Sequence, residues 1–371
     1  MNNQLIYQIG LTMIKGVGDV LGRHLLETLG SPEAVFAEKT SSLEKIPGIG
    51  SVLASEIRQA GVLKRAEKEL SFVTKNNINC YFLSDSDYPA RLRECCDAPL
   101  IIYFKGKCDL NSLRIISVVG TRRPTDYGSS LTNKLVSELA ALYPGTLIVS
   151  GLAYGIDVAS HRSALNNHLP TVGVLAHGLD RIYPFLHRKI AIEMLEHGGL
   201  LTDFPSGTTP DKPNFVMRNR IIAGLSDATV VVESAEKGGS LITANIAFSY
   251  DRDVFAFPGR TTDTCSQGCN RLISQNKAAL ITCAADLVAL TNWGEPALLK
   301  EEPKAVQTEL FFDGSDDAYR VLNLIKEKER IQFDQIVSNI EMPVGKLMGI
   351  LIDLEIDGKI SVLPGKIYKI A

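Results

Sequence analysis

One stretch of the chain, from Phe215 to Gly259, combines an aromatic residue, two cations and a glycine pair. Arg218-Asn219-Arg220 supplies two guanidinium groups, and Phe215 precedes Arg218 by about one helical turn. A ring that stacks on a base, beside guanidinium groups that hold phosphates, is the minimal site for single-stranded nucleic acid. Alternatively, Phe215 packs its helix against the core, and the residues alone leave these two interpretations nearly equal.

The same stretch contains a turn suited to an anion. Gly238 and Gly239 follow an apolar run at Ala228–Val232 that is typical of a buried strand, and Ser240 can cap the helix after them. Free N–H groups and the helix dipole favour an anion at such a helix start. A second buried strand, Val254–Phe257, completes a right-handed parallel crossover. The residues therefore predict an anion site on an α/β sheet.

Two further glycine-bearing turns follow predicted strands. Gly120-Thr121-Arg122 follows Ile115–Val119, and Gly151 and Gly155 follow Leu147–Val149. Parallel strands place their C-terminal loops along one edge of the sheet, where such folds bind ligands. The cations beside these loops are Arg122, Arg123, Arg162, Arg188, Lys189, Arg218 and Arg220. We therefore predict a phosphate-lined pocket at that edge.

Two titratable residues in the second of these loops could perform acid–base chemistry. Asp157 could be a general acid or base, but a carboxylate at a helix start is more often a cap. His161 could donate to a phosphate, although a histidine without a partner on a helix face usually packs. The sequence contains neither the Walker GxxxxGK[ST] loop nor a dinucleotide fingerprint. We expect a binding site without catalytic residues, metal or cofactor.

The composition is that of a cytoplasmic globular protein. The chain has 371 residues, 45% of them hydrophobic, and a net charge of -3, so nucleic-acid contact must come from local clusters of cations. We find no signal peptide and no apolar run of about 18 residues that could span a membrane. The seven cysteines form neither a disulfide framework nor a zinc pattern.

Three domains are expected. Residues 1–83 form a helical domain with two helix-hairpin-helix-like repeats, Gly16-Val17-Gly18 and Gly48-Ile49-Gly50. Residues 84–291 form a Rossmann-like, doubly wound parallel sheet, with 84–112 as the connecting segment. Residues 292–317 are predicted to be a linker. Residues 318–371 show three short helices and a hairpin, which is the order typical of a winged helix. The hairpins could bind DNA phosphates or serve as a docking module, and the pattern leaves both uses open.

The winged-helix segment lacks a basic reading helix. Lys346 is set against Asp353, Glu355 and Asp357, and residues 316–371 hold eight basic and nine acidic residues. A helix that reads a DNA groove should carry basic and amide side chains. A protein–protein or regulatory contact is therefore favoured here over groove binding.

The order of motifs resembles the bacterial DNA-processing protein A family (DprA/Smf). The motifs are VVGTRRPTDYG, SGLAYGIDVASHRSAL, GLDRIYP, FVMRNRIIAGLSDATVVVESAEKGGSLITANIA, VFAFPG and CNRLI. The resemblance implies a non-catalytic protein that binds single-stranded DNA, protects it during natural transformation and loads the RecA recombinase. It also implies a homodimer formed through the Rossmann-like domain.

Carried over residue by residue, the family's single-strand pocket would use Arg122, Lys189, Phe215, Arg218 and Arg220. Main-chain and hydroxyl donors would come from Gly239 and Ser240. This chain departs from the usual family pattern after Tyr183-Pro184, where Phe185-Leu186-His187 replaces an asparagine-containing segment.

The rival class is an enzyme. The same glycine loops could hold a nucleotide for hydrolysis, as in Rossmann-like phosphoribohydrolases, which need a catalytic carboxylate and a PGGxGT-type loop. The corresponding turn here is Glu236-Lys237-Gly238-Gly239-Ser240. A nuclease is a third possibility, but the sequence shows no cluster of metal-binding carboxylates to support it.

Overall fold

The structure is a computed structural model that describes residues 3–291, 293–294, 316–328, 331–340, 342–363 and 367–370. The chain divides into two compact units, Met1–Lys300 and Glu301–Ala371. Most of the predicted linker, and the predicted hairpin turn at 364–365, lie outside the described residues. No helix in these ranges is long and apolar enough to cross a membrane.

The helices of the first unit are α1 (Asn3–Thr12), α2 (Asp19–Leu29), α3 (Pro32–Ala37), α4 (Thr40–Leu43), α5 (Ser51–Ile57), α6 (Ala60–Lys75), α7 (Ala90–Arg93), α8 (Asp126–Leu142), α9 (Ile156–Asn166), the 3-10 helix η1 (Phe185–His187), α10 (Arg188–His197), α11 (Lys212–Leu225), α12 (Ser240–Ser249), α13 (Gln267–Ser274) and α14 (Ala284–Thr291). Its strands are β1 (Asn79–Phe82), β2 (Ile101–Gly106), β3 (Ile115–Val119), β4 (Leu147–Ser150), β5 (Thr171–Val174), β6 (Gly198–Thr202), β7 (Ala228–Val231), β8 (Asp253–Ala256) and β9 (Ala279–Leu280).

These nine strands form one sheet in the order β1-β2-β6-β5-β4-β3-β7-β8-β9. The strands from β6 to β9 in this order pair in parallel, whereas β2 pairs antiparallel with both β6 and β1. The predicted doubly wound, mostly parallel sheet is therefore confirmed. The connecting segment contributes β2 to this sheet, and β1 begins at Asn79, before the predicted boundary at residue 83.

Side chains alternate between the two faces of the sheet, as the geometry of strands requires. From β3, Ile115 and Val119 join a core that includes α7, α11 and α12, while Ile116 and Val118 join another that includes α8, α9 and α14. Both faces are thus covered by helices. This explains why the strands appear in the sequence as continuous apolar runs.

The strand order reverses between β3 and β7. The chain builds outward from β3 through β4, β5 and β6 on one side, then returns to place β7, β8 and β9 on the other. The helices that follow β3 and β7, α8 and α12, consequently pack on opposite faces of the sheet and leave a crevice beyond the C-terminal ends of these strands. Ligands of open α/β sheets bind at such a point.

The helical module shows its internal repeat in backbone geometry. Gly16 and Gly48 both have φ of +89°, and Gly18 and Gly50 both precede a helix with φ and ψ near -90° and 177°. The positive φ explains why glycine occupies both first positions. The module's core continues into β2 through Ile101 and other strand residues.

The second unit contains α15 (Asp316–Lys328), α16 (Phe333–Asn339) and α17 (Val344–Ile356), with β10 (Ile331–Gln332), β11 (Ile360–Leu363) and β12 (Ile367–Ile370). The strands form a separate sheet in the order β10-β12-β11. Leu347, Leu351 and Leu354 of α17 enter the core of this unit. The exposed side of α17 is partly apolar; its exposed apolar residues are Val344, Met348, Ile352 and Ile356.

Arg220 joins three parts of the first unit. Its Nη2 atom lies 2.9 Å from the Asp19 carboxylate of the helical module and 2.7 Å from that of Asp203 after β6. Its Nη1 atom donates to the carbonyl of Asp97 in the connecting segment. Burial alone would lower the pKa of Arg220, but Asp203 and Asp19 together raise it above its ordinary value. The arginine remains charged and bound to these carboxylates.

We expect Arg220→Ala to lower the free energy of unfolding by about 3 kcal/mol, because it leaves the buried Asp203 carboxylate without its cation. Urea denaturation measures the change, and hydrogen exchange should show faster opening of α2. Arg271→Ala is the matched control, because Arg271 pairs with Glu236 at 3.5 Å while both side chains are more than half exposed. That variant should lose less than about 1 kcal/mol. Equal losses in the two variants would contradict the role assigned to Arg220.

Candidate nucleic-acid site

A cavity of about 640 Å³ opens at the crevice beyond β3, β4 and β7. Three loops and two helices form its walls: the turns after these three strands, α11, and the start of α12. The lining residues that the sequence also singled out are Gly120, Thr121, Arg122, Asp157, Phe215, Arg218, Asn219, Gly238, Gly239 and Ser240. The structure thus brings most of the predicted residues to one place.

Backbone hydrogen bonds tie the loop after β3 to its neighbours. The Thr121 N–H donates to the Glu233 carbonyl after β7 at 2.7 Å, and the Ile156 N–H donates to the Thr121 carbonyl at 3.2 Å. Gly155 has φ of +81°, and a Cβ there would lie 2.2 Å from the Thr121 carbonyl oxygen. Gly155 therefore allows the loops after β3 and β4 to touch, and it is absent from the cavity lining.

The Glu233 carboxylate fixes the start of α8. It accepts hydrogen bonds from the Thr125 N–H at 2.9 Å and the Thr125 hydroxyl at 2.6 Å. Thr125 in turn accepts from the Gly128 N–H and caps the helix. Glu233 is buried, and both of its carboxylate oxygens accept hydrogen bonds from Thr125, so its role is to hold this loop.

Arg218 lies at the floor of the cavity and is almost completely buried. Its Nη1 atom donates to the carbonyl of Gly151, at 2.7 Å, and to that of Val174. A Cβ on Gly151 would lie 2.6 Å from the guanidinium group. Gly151 is thus required for the close approach of Arg218, and its own contact with a ligand is limited by that group.

A second buried charge lies near Arg218. Asp157 accepts hydrogen bonds from the backbone N–H groups of Gly151 at 3.2 Å and Ala153 at 3.4 Å. Burial raises the pKa of Asp157, while the charge of Arg218 opposes that rise. Burial lowers the pKa of Arg218 to about 10, and Asp157 opposes that change. At neutral pH the floor of the cavity therefore keeps its positive charge.

Phe215 lies within cation–π distance of two guanidinium groups at the cavity wall. The ζ-carbons of Arg122 and Arg218 lie 5.5 and 5.9 Å from the centre of its ring. The Tyr183 ring lies 5.9 Å away, centre to centre. Phe215 is half-buried and Arg122 is exposed. A planar ligand that reached this ring would also reach an accessible cation.

The glycine pair leads into α12, whose first turn faces the cavity. Gly239 precedes the helix with ordinary helical φ and ψ, and a Cβ added there would meet nothing within 4 Å. Ser240 is the first helical residue rather than the cap, and its hydroxyl donates to the Ser234 hydroxyl at 3.0 Å. The N–H groups of Gly238, Leu241 and Ile242 donate to carbonyls within the turn, and the Ser240 hydroxyl is also hydrogen-bonded. The N–H groups of Gly239 and Ser240 stay the predicted anion donors.

Besides Gly151 and Gly155, three predicted side-chain contacts lie away from the cavity. Arg220 is held by Asp19 and Asp203, as described above, and faces away from the lining residues. Lys189 is exposed but lines a separate groove of about 310 Å³ with Arg162 and Glu193. His161 is completely buried, so its prediction as a nucleic-acid contact is corrected. The face of α9 that carries His161 packs in the protein core, which a DNA strand cannot reach.

Family models match the domain that contains the cavity and both flanking units. The family model for DNA recombination-mediator protein A matches residues 79–292, which include the cavity. A SAM-like helix-hairpin-helix tandem matches residues 9–60, and the DprA winged helix domain matches residues 301–366. The chain belongs to the DNA recombination-mediator protein A family. The resemblance to the DprA/Smf family that the motifs indicated is confirmed.

Relatives with known names support the same assignment. Protein Smf from Synechocystis sp. is 32% identical over 400 residues, which cover 99% of each chain. The crystal structure of DNA processing protein A from Streptococcus pneumoniae is 32% identical, with a TM-score of 0.64 over 76% of this chain and 97% of that one. A structure of DNA processing protein A from Helicobacter pylori, described for its single-stranded DNA binding mode, is 28% identical, with a TM-score of 0.52 over 57% of this chain and 94% of that one.

Sequence reasoning missed two residues near Phe215, namely Lys212 and Tyr183. Lys212 is exposed and lines the cavity. It precedes Phe215 by three residues on α11, and this spacing could have identified it as a neighbour on the same face. Tyr183 extends the aromatic surface of Phe215, but only the fold brings the two residues together.

The burial of His161 predicts how stability depends on pH. Its Nδ1 atom lies 2.6 Å from the Thr171 hydroxyl, which itself donates to the Ile148 carbonyl, so Nδ1 carries the ring proton. Burial, together with the charges of His187 and Arg218, lowers the pKa of His161 from 6.5 to about 3. The unfolded chain takes up this proton as the pH falls below 6.5, whereas the folded protein does so only near pH 3.

Stability should therefore fall on acidification, by about 2 kcal/mol from this residue between about pH 7 and pH 5. Urea denaturation at several pH values measures the slope, and His161→Gln should flatten it. His197→Gln, at an exposed position on α10, is the control and should leave the slope unchanged. An unchanged slope in His161→Gln would contradict a neutral, buried imidazole.

Proposed function

We propose that this protein binds single-stranded DNA without sequence preference, with the cavity beyond β3, β4 and β7 as its site. Bases would stack at Phe215, and phosphates would contact Arg122, Arg218 and the N–H groups at the start of α12. Thr121, Asn219 and Gly239 would add polar contacts at the lining. The single-stranded DNA binding described for the Helicobacter pylori relative supports this proposal.

The observation that carries the proposal is the Phe215 ring within cation–π distance of a buried and an exposed guanidinium group. Stacking on an aromatic ring tolerates every base, because each base has a π-face. Guanidinium groups bind the phosphates that all sequences share. Arg218 keeps its positive charge beside Asp157, and Arg122 adds an exposed cation, even though the net charge of the chain is -3. This combination favours binding that does not depend on sequence.

The biological role that we propose follows from the family. The protein would protect incoming strands and load the RecA recombinase onto them in natural transformation and recombination. It would act in the cytoplasm as a homodimer formed through the Rossmann-like domain. We retain the predicted layout of domains 1–83, 84–291 and 318–371 around the linker 292–317, with the winged helix as a protein contact. This last choice is supported by the exposed apolar residues on α17.

We do not propose catalysis. The carboxylate closest to a catalytic position is Asp157, and it is already bound to two backbone N–H groups. Its place under the loop after β4 suits a structural role at the start of α9. The phosphoribohydrolase alternative requires this carboxylate to face a glycosidic bond, and the hydrogen bonds direct it to the loop instead.

The binding proposal predicts different effects for two substitutions. Phe215→Ala should weaken oligo-dT binding by about 1–3 kcal/mol with an unchanged salt dependence, because it removes stacking alone. Arg122→Ala should weaken binding and also reduce the slope of log K against log salt by about 0.7, because it removes one phosphate contact. Fluorescence anisotropy at several salt concentrations separates the two effects.

Lys134→Ala removes an exposed cation on α8, outside the cavity lining, and serves as the control for a general loss of charge. A matched duplex, tested in parallel, should bind more weakly than the single strand. Wild-type affinity in both Phe215→Ala and Arg122→Ala would contradict the placement of the site.

The enzymatic alternative has its own test. Purified protein incubated with nucleoside monophosphates should release no free base, as measured by chromatography. Asp157→Asn should have the same products as the wild type. Base release that disappears in Asp157→Asn would replace the binding proposal with the hydrolase.

A further inference from the structure

We infer that the strand site continues from the cavity onto η1, where Phe185 provides a second stacking position for single-stranded nucleic acid. This inference extends the proposed function and depends on it. Phe185 and Leu186 are the first two residues of η1, and they are 77% and 76% exposed.

Aromatic residues lie between the cavity and η1. Phe215 at the cavity wall lies 5.9 Å from Tyr183, centre to centre. Tyr183 is 46% exposed and is separated from Phe185 by one residue. Tyr154, which is 44% exposed and follows the cavity residue Ala153, packs edge-on against His187 at 5.1 Å. Both sides of η1 are thus joined to the rim of the cavity by partly exposed rings.

Hydrogen bonds to buried groups hold the backbone on each side of Phe185. The imidazole of His187 is buried, and its Nδ1 atom lies 2.8 Å from the Leu152 carbonyl. The Tyr183 N–H donates to Nε2 of the buried His177 at 3.2 Å. These two contacts fix the residues on each side of Phe185. A stacking residue held in this way loses little conformational freedom when a base binds.

Cations follow the rings on the side away from the cavity. Arg188 and Lys189 begin α10, directly after η1, and both are exposed. Lys189, Arg162 and Leu186 line one groove, in which Glu193 is the acidic residue. The groove is therefore net positive, with an apolar side chain at the end nearest Phe185. Rings interleaved with cations match the chemistry of a single strand.

The exposed apolar residues Phe185 and Leu186 could instead bind a protein, but the neighbouring rings and cations favour nucleic acid. A protein contact centred on Phe185 and Leu186 would gain from any large apolar side chain at residue 185. A base requires a flat ring, because stacking depends on the π-face. This difference makes the identity of residue 185 the decisive variable.

The test compares full-length Phe185→Ala, Phe185→Leu and Phe185→Trp with the wild type on two lengths of oligo-dT, about 4 and about 16 nucleotides. The short oligomer fills the cavity alone, and the long one also reaches η1. Phe185→Ala and Phe185→Leu should weaken binding of the long oligomer about 5-fold or more and leave the short one unchanged. Phe185→Trp should bind the long oligomer like the wild type.

Lys189→Gln and Arg162→Gln should each reduce the salt slope by about 0.7 for the long oligomer only. Leu113→Ala, a 79% exposed residue before β3 at the opposite edge of the sheet, is the matched control and should change nothing. Wild-type affinity of Phe185→Ala for the long oligomer would overturn the inference, and so would equal binding by Phe185→Leu and the wild type. Failure of the wild type to bind either length, or insensitivity to Phe215→Ala, would instead overturn the proposed function.

Discussion

A buried guanidinium group holds together the loop ends that form the site. Arg218 donates to the carbonyl of Gly151 after β4 and to that of Val174 at the end of β5. Burying a charge in a protein interior is unfavourable unless the charge is paired and hydrogen-bonded. Here the two carbonyls, together with the opposite charge of Asp157, offset that penalty. The result is a positive charge whose position the fold determines.

The close packing of these loops, rather than contact with a ligand, accounts for most of their glycines. Gly151 leaves room for the guanidinium group, Gly155 lets two loops touch, and Gly120 avoids the side chain of Ile156. Gly239 differs, because open space surrounds it at the cavity wall. Three glycines thus serve the close packing of the loops, and one leaves backbone N–H groups accessible. A glycine-rich loop is therefore insufficient evidence for a phosphate contact at each of its glycines.

The strands and the edge of the sheet that holds the site could be predicted from the sequence, because buried parallel strands appear as short apolar runs. The ends of β3 agree with the prediction at both residues, and the other central strands differ by one or two residues. The pairing of β2 with β6 could not be predicted, because it joins segments about 95 residues apart through backbone contacts.

The helix face on which each cation lies could be predicted only in part. Residues two apart on a helix point to nearly opposite sides, whereas residues three apart share a face. This rule separates Arg218 from Arg220 and groups Arg218 with Phe215 and Lys212, as the structure does. His161 could not be assigned in the same way, because its helix is covered on several sides by β4, β5 and α8. Only the packing of those elements shows that its imidazole is buried.

The two arginines of α11 make one helix responsible for both the site and the position of the helical module. Arg218 fixes one face of α11 against β4 and β5, while Arg220 binds Asp19 of the module from the opposite face. A helix behaves as a rigid rod over this length, so the module cannot shift relative to α11 without breaking the Asp19 contact. The placement of the helix-hairpin-helix repeat relative to the cavity is thus a consequence of side-chain chemistry within a single turn of α11.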